Sequence, residues 1–298
     1  GSRGLGDVYK RQPFALFLSL GTPHDPWTPD NVPEKYLDLF RDTKFARPAN
    51  YVAGNDPHAD MWAKFFPGER KKLTEWMRVY YAMVANLDEN VGRLYAAVKE
   101  LGIEEDTVFV FTSDHGEMFG AHGRRAKNIF YDEAVRVPFL IGWKGHIAPG
   151  RRDFCFNTVD IMPTLLSLMG LPCPDDAEGR DLSRCLLTDA TDDEPSLMMG
   201  TGPTAMFGSG KEWRAVRDKR FTYAVYRSDR AEFLFDNVSD PLQKNNLARE
   251  PKFKNEKERL KAAMYAKMRQ IGDDFDNNLH YVGRWVKKRR IVRTATLK

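Results

Sequence analysis

The segment 107–143 constrains more than any other stretch what this chain can fold into. It begins at residues 108–111 with a short apolar run rich in β-branched and aromatic side chains, which predicts a buried strand. The run ends abruptly in Ser-Asp-His-Gly-Glu at residues 113–117, and a second apolar run occupies residues 137–143. In open α/β sheets ligands bind beyond the carboxyl ends of the strands, so we expect the chemistry of this chain between the two runs.

Composition and charge limit the classes of protein to which this chain can belong. The 298 residues suffice for one large domain or two modest ones, and 42% hydrophobic with 30% charged residues is typical of a globular protein. A net charge of +4 does not indicate nucleic acid as a partner. No apolar run approaches the roughly 20 residues that span a bilayer, so we predict no membrane-spanning helix. The basic run at 284–290 is either a solvated tail or a patch that attracts an anionic substrate or surface.

Strand and helix patterns follow one another as in an α/β protein. Buried strands are predicted at 14–20, 108–111 and 137–142, and amphipathic helices at 69–101 and 158–170. A helix followed by the strand at 108–111 is the order of a parallel sheet. Farther on, three short antiparallel strands and a helix are predicted at 213–217, 221–226, 232–236 and 254–271.

Three regions are expected from these patterns. Residues 1–12 begin with Gly-Ser and have no apolar period, so we interpret them as a tag or non-native start. An α/β core is predicted over 13–190, and a subdomain with a small antiparallel sheet and a helix over 191–298. The cysteines Cys155, Cys173 and Cys185 are too few and too irregularly spaced for a disulfide framework or a zinc site, although one disulfide remains open.

Asp114 and His115 are adjacent at the end of the predicted strand at 108–111. In a regular strand they would point to opposite faces, but with Gly116 next the backbone can turn so that both reach one ion. A carboxylate and an imidazole suit a divalent cation. The alternative is a turn in which Asp114 caps the next segment and His115 is merely exposed.

His122 and Lys127 follow in the same segment. His122 is either a structural loop histidine or a pocket residue. Lys127 is either solvated or, near a metal, able to hold an anionic oxygen as a point charge. We interpret Arg124 and Arg125 as surface or rim residues.

Glu117 and His24 each have two interpretations. Glu117 is a general base or an acid at a helix start. His24, on a Pro-bounded loop after the predicted strand at 14–20, is a packed loop histidine or a proton donor and anion ligand beside Asp114. The chain has no Gly-rich phosphate loop and no Gly-x-Ser-x-Gly, Cys-x-x-Cys or His-Glu-x-x-His motif. A cluster of metal, imidazole and lysine suits an oxyanion ester, whether sulfate, phosphate or phosphonate.

Several segments together resemble the sulfatase family of the alkaline-phosphatase-like superfamily. They read PFALFLSLGTPHDPW, YYAMVANLDENVGRL and VFTSDHGEMFGAHGRRAKNIFYDEAVRVPFLIGW. Further segments resemble the end of the family's main domain and its C-terminal subdomain, at 157–182, 215–226 and 232–248. The resemblance implies an α/β sandwich of alkaline-phosphatase type with a mostly parallel central sheet, truncated at its N-terminus, and a small α+β C-terminal subdomain.

The resemblance also implies roles for single residues. Asp114 and His115 would be two ligands of the family's divalent ion, usually Ca²⁺, although many members have Asn in place of His115. Lys127 would bind the sulfate group and the leaving-group oxygen, and His24 would contact the sulfate and assist departure of the leaving group. His122 is a weaker correspondence, as a pocket residue. The implied substrate is a sulfated small molecule or glycan, with specificity set by loops such as 41–68 and 200–210.

One feature of the family has no counterpart in this sequence. The family's nucleophile is a formylglycine made from Cys or Ser in a Cys/Ser-x-Pro/Ala-x-Arg motif, and none of the three cysteines lies in such a motif. We therefore expect the C-terminal part of a sulfatase, inactive by itself. The alternatives are a phosphonate or phosphate ester hydrolase of the same superfamily, which also uses Asp-His metal pairs, and a non-catalytic binding module that kept the fold.

Overall fold

The structure is a computed structural model that describes residues 12–201, 210–277, 286–287 and 290–291. The predicted non-native start (except residue 12), most of the loop at 200–210 and most of the basic run at 284–290 lie outside the described residues. The chain divides into two compact units, Gly1–Phe45 with Glu75–Arg93 and Ala46–Thr74 with Leu94–Lys298. The predicted regions 13–190 and 191–298 stay a prediction.

Helices and strands are both present within the described residues. The α-helices are α1 Glu34–Asp38, α2 Leu73–Glu100, α3 Asp132–Val135, α4 Ile161–Leu168, α5 Ser183–Leu187 and α6 Lys254–Gln270. The strands are β1 Phe109–Thr112, β2 Phe139–Gly142, β3 Ser196–Gly200, β4 Trp213–Arg217, β5 Phe221–Tyr226, β6 Glu232–Asp236, β7 Val286–Lys287 and β8 Arg290–Ile291. Within the ranges that the structure describes, no helix has the length and apolar character needed to cross a membrane.

The smaller unit contains the His24 loop and most of α2. Trp27 anchors this loop: its Nε1 donates to the carbonyl oxygen of Pro23 at 2.9 Å, and its ring packs against Trp76 and Tyr80 of α2 at centroid distances of 5.5 and 6.3 Å. The indole is buried although residues on either side are exposed. The loop is therefore attached to the helix through one aromatic cluster.

The predicted buried strand at 14–20 is wrong for this chain. Residues 13–20 have no assigned strand and are exposed, with Phe17 90% and Phe14 69% exposed. A strand requires a neighbouring strand to satisfy its backbone N–H and C=O groups, and the segment pairs with none of the strands described here. High β-propensity alone does not bury a segment that lacks a partner.

Strands β1 and β2 form the two predicted apolar runs and pair antiparallel with each other, Phe109 opposite Gly142 and Thr112 opposite Phe139. All paired strands in the described ranges are antiparallel, which differs from the mostly parallel arrangement expected for this sheet. β1 and β2 are partly exposed rather than buried, because among the described residues each pairs with only one strand. Leu140 of β2 is 64% exposed.

A four-stranded antiparallel sheet in the order β3-β4-β5-β6 lies in the larger unit. One face packs against the segment 118–134, through residues such as Met118, Phe130 and Tyr226, and the other face packs against α6 through Tyr223 and Leu260. Every residue of the central strand β5 is consequently buried. The sheet thus supports the polar segment that follows β1.

Most of the remaining predicted elements are confirmed. The helices predicted at 69–101 and 254–271 are α2 and α6, and the three predicted strands of the later sheet are β4, β5 and β6. Strand β3 was not predicted, because it lies in a stretch whose Pro, Gly, Asp and Ser content indicated a loop. The three cysteines are all free, so the disulfide left open by the sequence is not formed.

Candidate active site

The chain leaves β1 through a turn that requires glycine. The amide of Gly116 donates to the carbonyl oxygen of Ala134 at 2.8 Å, which brings the turn against the start of the next element. A Cβ atom on Gly116 would lie 1.9 Å from the carbonyl oxygen of Glu133, closer than any side chain could be accommodated. The absence of a side chain at this position lets Asp114 and His115 sit at the end of β1.

Asp114 and His115 converge on one another. The Asp114 Oδ2 atom lies 3.3 Å from His115 Nε2, and Oδ1 accepts the amide of His115 at 2.9 Å. The His115 Nδ1 atom is 3.0 Å from the carbonyl oxygen of Gly116, which can only accept, so Nδ1 donates this bond and Nε2 is the ring nitrogen that faces the carboxylate. The Asp114 side chain is 82% exposed, and its slight desolvation, which would raise the pKa, is outweighed by the neighbouring imidazole and by hydrogen bonds to the carboxylate, which lower the pKa of Asp114.

The separation of these two side chains can be compared with the spacing of ligands around a divalent ion. Two ligands at right angles around an ion, each about 2.3 Å from it, lie about 3.3 Å apart, which matches the separation of Oδ2 and Nε2. The Nδ1 hydrogen bond to a carbonyl is the contact that orients a ligating histidine. Among the described residues, no group of three or more His, Cys, Asp or Glu side chains could hold an ion. The assignment of Asp114 and His115 as metal ligands therefore stays a prediction, in which the pair would supply only part of the coordination sphere.

The loop between residues 117 and 128 is unusually constrained. Four non-glycine residues in it have a positive φ: Phe119 (42°), His122 (50°), Ala126 (60°) and Asn128 (63°). Such conformations cost free energy and persist when surrounding contacts hold them. The loop also contributes fully buried side chains to the core, among them Met118. It is thus a rigid part of the larger unit.

Lys127 sits on this loop between two fixed neighbours. The amide of Arg125 donates to the carbonyl oxygen of Ala63 at 2.9 Å, and Trp213 Nε1 donates to the carbonyl oxygen of Asn128 at 3.1 Å. The Lys127 ammonium lies 5.9 Å from the centre of the Trp62 ring, a cation–π contact. The backbone on both sides of Lys127 is therefore held, while its side chain extends toward the segment around residue 62.

Glu117 is neither at a helix start nor free to act as a base. No helix begins in the residues directly after it, and its Oε1 atom accepts the amides of Ala126 at 2.6 Å and Phe119 at 3.3 Å. Burial raises the pKa of Glu117, and the two amides together with the charges of Arg125 and Lys127 oppose that rise. The carboxylate acts as a brace inside the loop.

Arg124 and Arg125 are not the surface residues that the sequence indicated. Arg124 is 1% exposed and pairs with Asp56 Oδ2 at 2.8 Å, and Arg125 pairs with Glu69 Oε1 at 2.7 Å. A buried guanidinium is tolerated when a carboxylate neutralises it. The partners lie more than fifty residues earlier in the chain, so no local pattern could have revealed these pairs.

His122 belongs to a separate half-buried network. Its ring stacks on Tyr131 at a centroid distance of 3.6 Å and an interplanar angle of 3°. The Asn50 amide nitrogen lies 3.0 Å from His122 Nε2 and 2.6 Å from Glu133 Oε1. Burial lowers the pKa of His122 to about 4, so its imidazole is neutral at pH 7. Its role as a pocket residue stays a prediction.

His24 lies in the smaller unit, whereas Asp114, His115, His122 and Lys127 lie in the larger one. The His24 side chain is 57% exposed, and Nδ1 is 2.7 Å from the Asp25 carboxylate. The structure confirms that His24 is on an exposed, Pro-bounded loop. Its proximity to Asp114 stays a prediction.

Nothing in the sequence indicates that Glu212 is a buried charged residue. Its side chain is fully buried, and within the described part of the chain neither carboxylate oxygen has a hydrogen-bond partner. Arg227 Nη1 lies 4.0 Å from Oε2. A glutamate flanked by Lys211 and Trp213 has no distinguishing pattern, so only its placement identifies it as unusual.

Two family models match this chain. The model described as Sulfatase matches residues 6–171, and the model described as N-sulphoglucosamine sulphohydrolase, C-terminal, matches residues 120–270. The first match includes Asp114, His115, His122, Lys127 and His24. Between them the two models account for both the polar segment after β1 and the later four-stranded sheet.

Individual proteins agree with these matches. The ulvan-active sulfatase of Formosa agariphila is 34% identical over 279 residues, covering 92% of this chain and 51% of that protein. Among solved structures, yidJ, a proposed sulfatase from Bacteroides fragilis, superposes with a TM-score of 0.75 at 28% identity, over 91% of this chain and 57% of that one. The phosphonate monoester hydrolase SpPMH from Silicibacter pomeroyi gives 0.60 at 28% identity, over 71% and 44%. The chain spans about half the length of the curated relatives it matches.

Proposed function

Because this chain belongs to the sulfatase family and has its alkaline-phosphatase-like α/β fold, we propose that the protein hydrolyses a sulfate ester of a glycan or small molecule. The observation that carries the proposal is the pair of Asp114 and His115, held at 3.3 Å at the end of β1 and followed by the braced loop of Lys127. This segment combines two candidate metal ligands with a lysine whose flanking backbone is hydrogen-bonded. The ulvan-active sulfatase supports the glycan class by its name.

Each residue has a distinct task in the proposed reaction. Asp114 and His115 would supply part of the coordination sphere of a divalent ion, for which Ca²⁺ is the family's usual choice. The Lys127 ammonium binds an anionic sulfate oxygen and opposes the negative charge that develops on the leaving-group oxygen. His24 contacts the sulfate and donates a proton to the leaving group. His122 lines the pocket as a neutral imidazole, since its pKa of about 4 leaves it without charge at pH 7.

The nucleophile is proposed to lie outside residues 1–298. No Cys/Ser-x-Pro/Ala-x-Arg motif surrounds Cys155, Cys173 or Cys185, and the chain spans about half of its curated relatives. When bound, the divalent ion supplies Lewis-acid polarisation of the sulfate and the formylglycine supplies the attacking oxygen. This chain by itself is therefore expected to bind sulfate weakly and not to turn over an ester.

A phosphonate monoester hydrolase is the second candidate. One observation favours it: the pair of candidate metal ligands contains an imidazole nitrogen, whereas Ca²⁺ prefers oxygen ligands. The similarity to the Silicibacter pomeroyi enzyme points the same way, although it covers less of the chain than the similarity to yidJ. Both candidate functions would use the metal ion and the Lys127 ammonium in the same way, because sulfate and phosphonate esters are both anionic.

The experiment compares two aryl esters in the full-length protein. We expect kcat/KM for 4-nitrophenyl sulfate to exceed that for 4-nitrophenyl phenylphosphonate. Lys127→Ala should lower kcat/KM on the sulfate at least about 100-fold, since one preorganised charge typically contributes a factor of 10²–10³. Lys144→Ala, an exposed lysine that pairs with Glu104 at 3.1 Å, is the matched control and should keep wild-type activity. Faster phosphonate turnover would favour the second candidate, and no turnover of either ester would favour a binding module.

A further inference from the structure

The carboxylate of Glu117 lies inside the loop that presents Lys127. Its Oε1 atom accepts the amide of Ala126 at 2.6 Å, and Ala126 directly precedes Lys127 in the chain. The same oxygen accepts the amide of Phe119 at 3.3 Å. One oxygen atom therefore joins the two ends of the loop across nine residues.

Both backbone polar groups of Ala126 are hydrogen-bonded within the loop. Its amide donates to Glu117, and its carbonyl oxygen accepts the amide of Met118 at 3.0 Å. The residue has a φ of 60°, a left-handed conformation that an alanine rarely adopts unless its surroundings impose it. The amide hydrogen bond to a carboxylate is charge-assisted, so it is stronger than a bond between neutral groups. These two hydrogen bonds, together called the Glu117 clamp, fix the backbone conformation of the residue that precedes Lys127.

Glu117 is half-buried, and its carboxylate faces the inside of the loop, where it accepts two backbone amides. Taking a carboxylate out of water costs free energy that two amide hydrogen bonds and nearby cations must offset. Arg125 and Lys127 are cations whose charges favour the ionised carboxylate, and Arg125 is itself paired with Glu69 at 2.7 Å. The geometric link between Glu117 and Lys127 is the amide of Ala126, which directly precedes Lys127.

We propose that Glu117 is a positioning residue, which fixes Lys127 for the sulfate ester through the amide of Ala126. The inference rests on the proposed function, because it assigns Lys127 to the reacting group. Lys127 has four rotatable side-chain bonds, so its backbone origin must be fixed if its ammonium is to meet one oxygen. A displacement of about 1 Å at a reacting centre can cost about 100-fold in rate.

Two variants separate positioning from a generic structural role. Glu117→Ala removes the acceptor and should lower kcat/KM for 4-nitrophenyl sulfate about 10- to 100-fold in the full-length protein. Glu117→Gln keeps a carbonyl oxygen at the same place and should stay within about threefold of wild type. Glu105→Ala, at an exposed glutamate of the same unit, is the control and should behave as wild type. Equal losses in the Ala and Gln variants would overturn the inference.

A double-mutant cycle tests whether Glu117 acts through Lys127. If it does, Glu117→Ala adds little to Lys127→Ala, and the double variant stays within about threefold of the single Lys127 variant. Multiplied losses would show that the two residues act independently and would overturn the inference. Full activity in Glu117→Ala would do the same.

Hydrogen exchange tests the clamp without any turnover. Exchange of the Ala126 amide in the full-length protein should accelerate in Glu117→Ala and stay slow in Glu117→Gln, while amides of α6 are unchanged. Unchanged exchange at Ala126 in the Ala variant would overturn the clamp whatever the activity. A wild-type protein that hydrolyses no sulfate ester would overturn the proposed function, and the inference with it, even if the exchange result held.

Discussion

The pairing of Asp236 with Arg220 gives a stability prediction whose size and pH dependence can be worked out. Asp236 is 2% exposed at the end of β6, and Arg220 donates to its carboxylate through Nε at 3.1 Å and Nη2 at 2.7 Å. The amides of Val238 and Ser239 donate to Oδ1 at 3.2 and 3.4 Å. The guanidinium in particular lowers the pKa of Asp236 from 3.8 to about 2.

This shift sets the expected cost of Asp236→Asn. At 1.36 kcal/mol per pKa unit the ionised carboxylate would contribute about 2–3 kcal/mol, and solvent screening of Arg220, which is 58% exposed, reduces this to about 1–2 kcal/mol. The folded pKa lies below the unfolded one, so the contribution is complete above about pH 5 and is lost as pH falls toward 2. At pH 3 the difference between variant and wild type should be roughly half of its value at pH 7.

Urea unfolding at pH 7 and pH 3, followed by circular dichroism, measures the difference. Asp193→Asn is the matched control, because Asp193 is 81% exposed and its pair with Lys219 should contribute nothing measurable. A loss of equal size at both pH values would show that the effect is steric rather than ionic. No loss at pH 7 would refute the assigned role of the ion pair.

Three further predictions concern burial. The wild-type protein should lose up to about 3 kcal/mol of stability as the pH falls from about 6.5 to 4, because the imidazole takes up its proton near pH 6.5 in the unfolded chain and only near pH 4 in the folded one. His122→Gln has no titrating imidazole at this position, so this loss should be absent. Urea unfolding of both proteins across this pH range measures the difference. Phe130→Ala, at a fully buried ring, should cost about 3–5 kcal/mol in the same assay, whereas Phe17→Ser, at a ring that is 90% exposed, should leave this chain's stability unchanged. Gly116→Ala should lower the melting temperature and any affinity for Ca²⁺ measured by titration calorimetry, since its Cβ would meet the Glu133 carbonyl oxygen.

The elements that the sequence predicted are those whose signal is local. Strands β4, β5 and β6 alternate with short turns and pair with their neighbours in the chain, so pattern and pairing coincide. The segment 14–20 has an equally apolar pattern, but pattern does not supply a partner strand, and the segment is exposed. The long helix α2 was predictable because its apolar period extends over 28 residues.

The residues of the candidate site likewise fall into those that the sequence could identify and those that only the structure shows. Asp114, His115 and Lys127 could be proposed from residue type and position after a strand, and the closeness of Asp114 to His115 follows from adjacency and the glycine next to them. The roles of Arg124 and Glu117 could not, because they depend on contacts with Asp56 and with the amide of Ala126. Such contacts are set by tertiary packing, which composition and periodicity do not encode.

The most direct test of the account is a crystal structure of the full-length protein with Ca²⁺ and a bound sulfate or sulfate ester. We predict a divalent ion within about 2.6 Å of Asp114 and His115, and the Lys127 ammonium within hydrogen-bond distance of a sulfate oxygen. A sulfate bound away from Lys127, or an ion that does not contact the residues at the end of β1, would contradict the assignment of this segment as one wall of the active site.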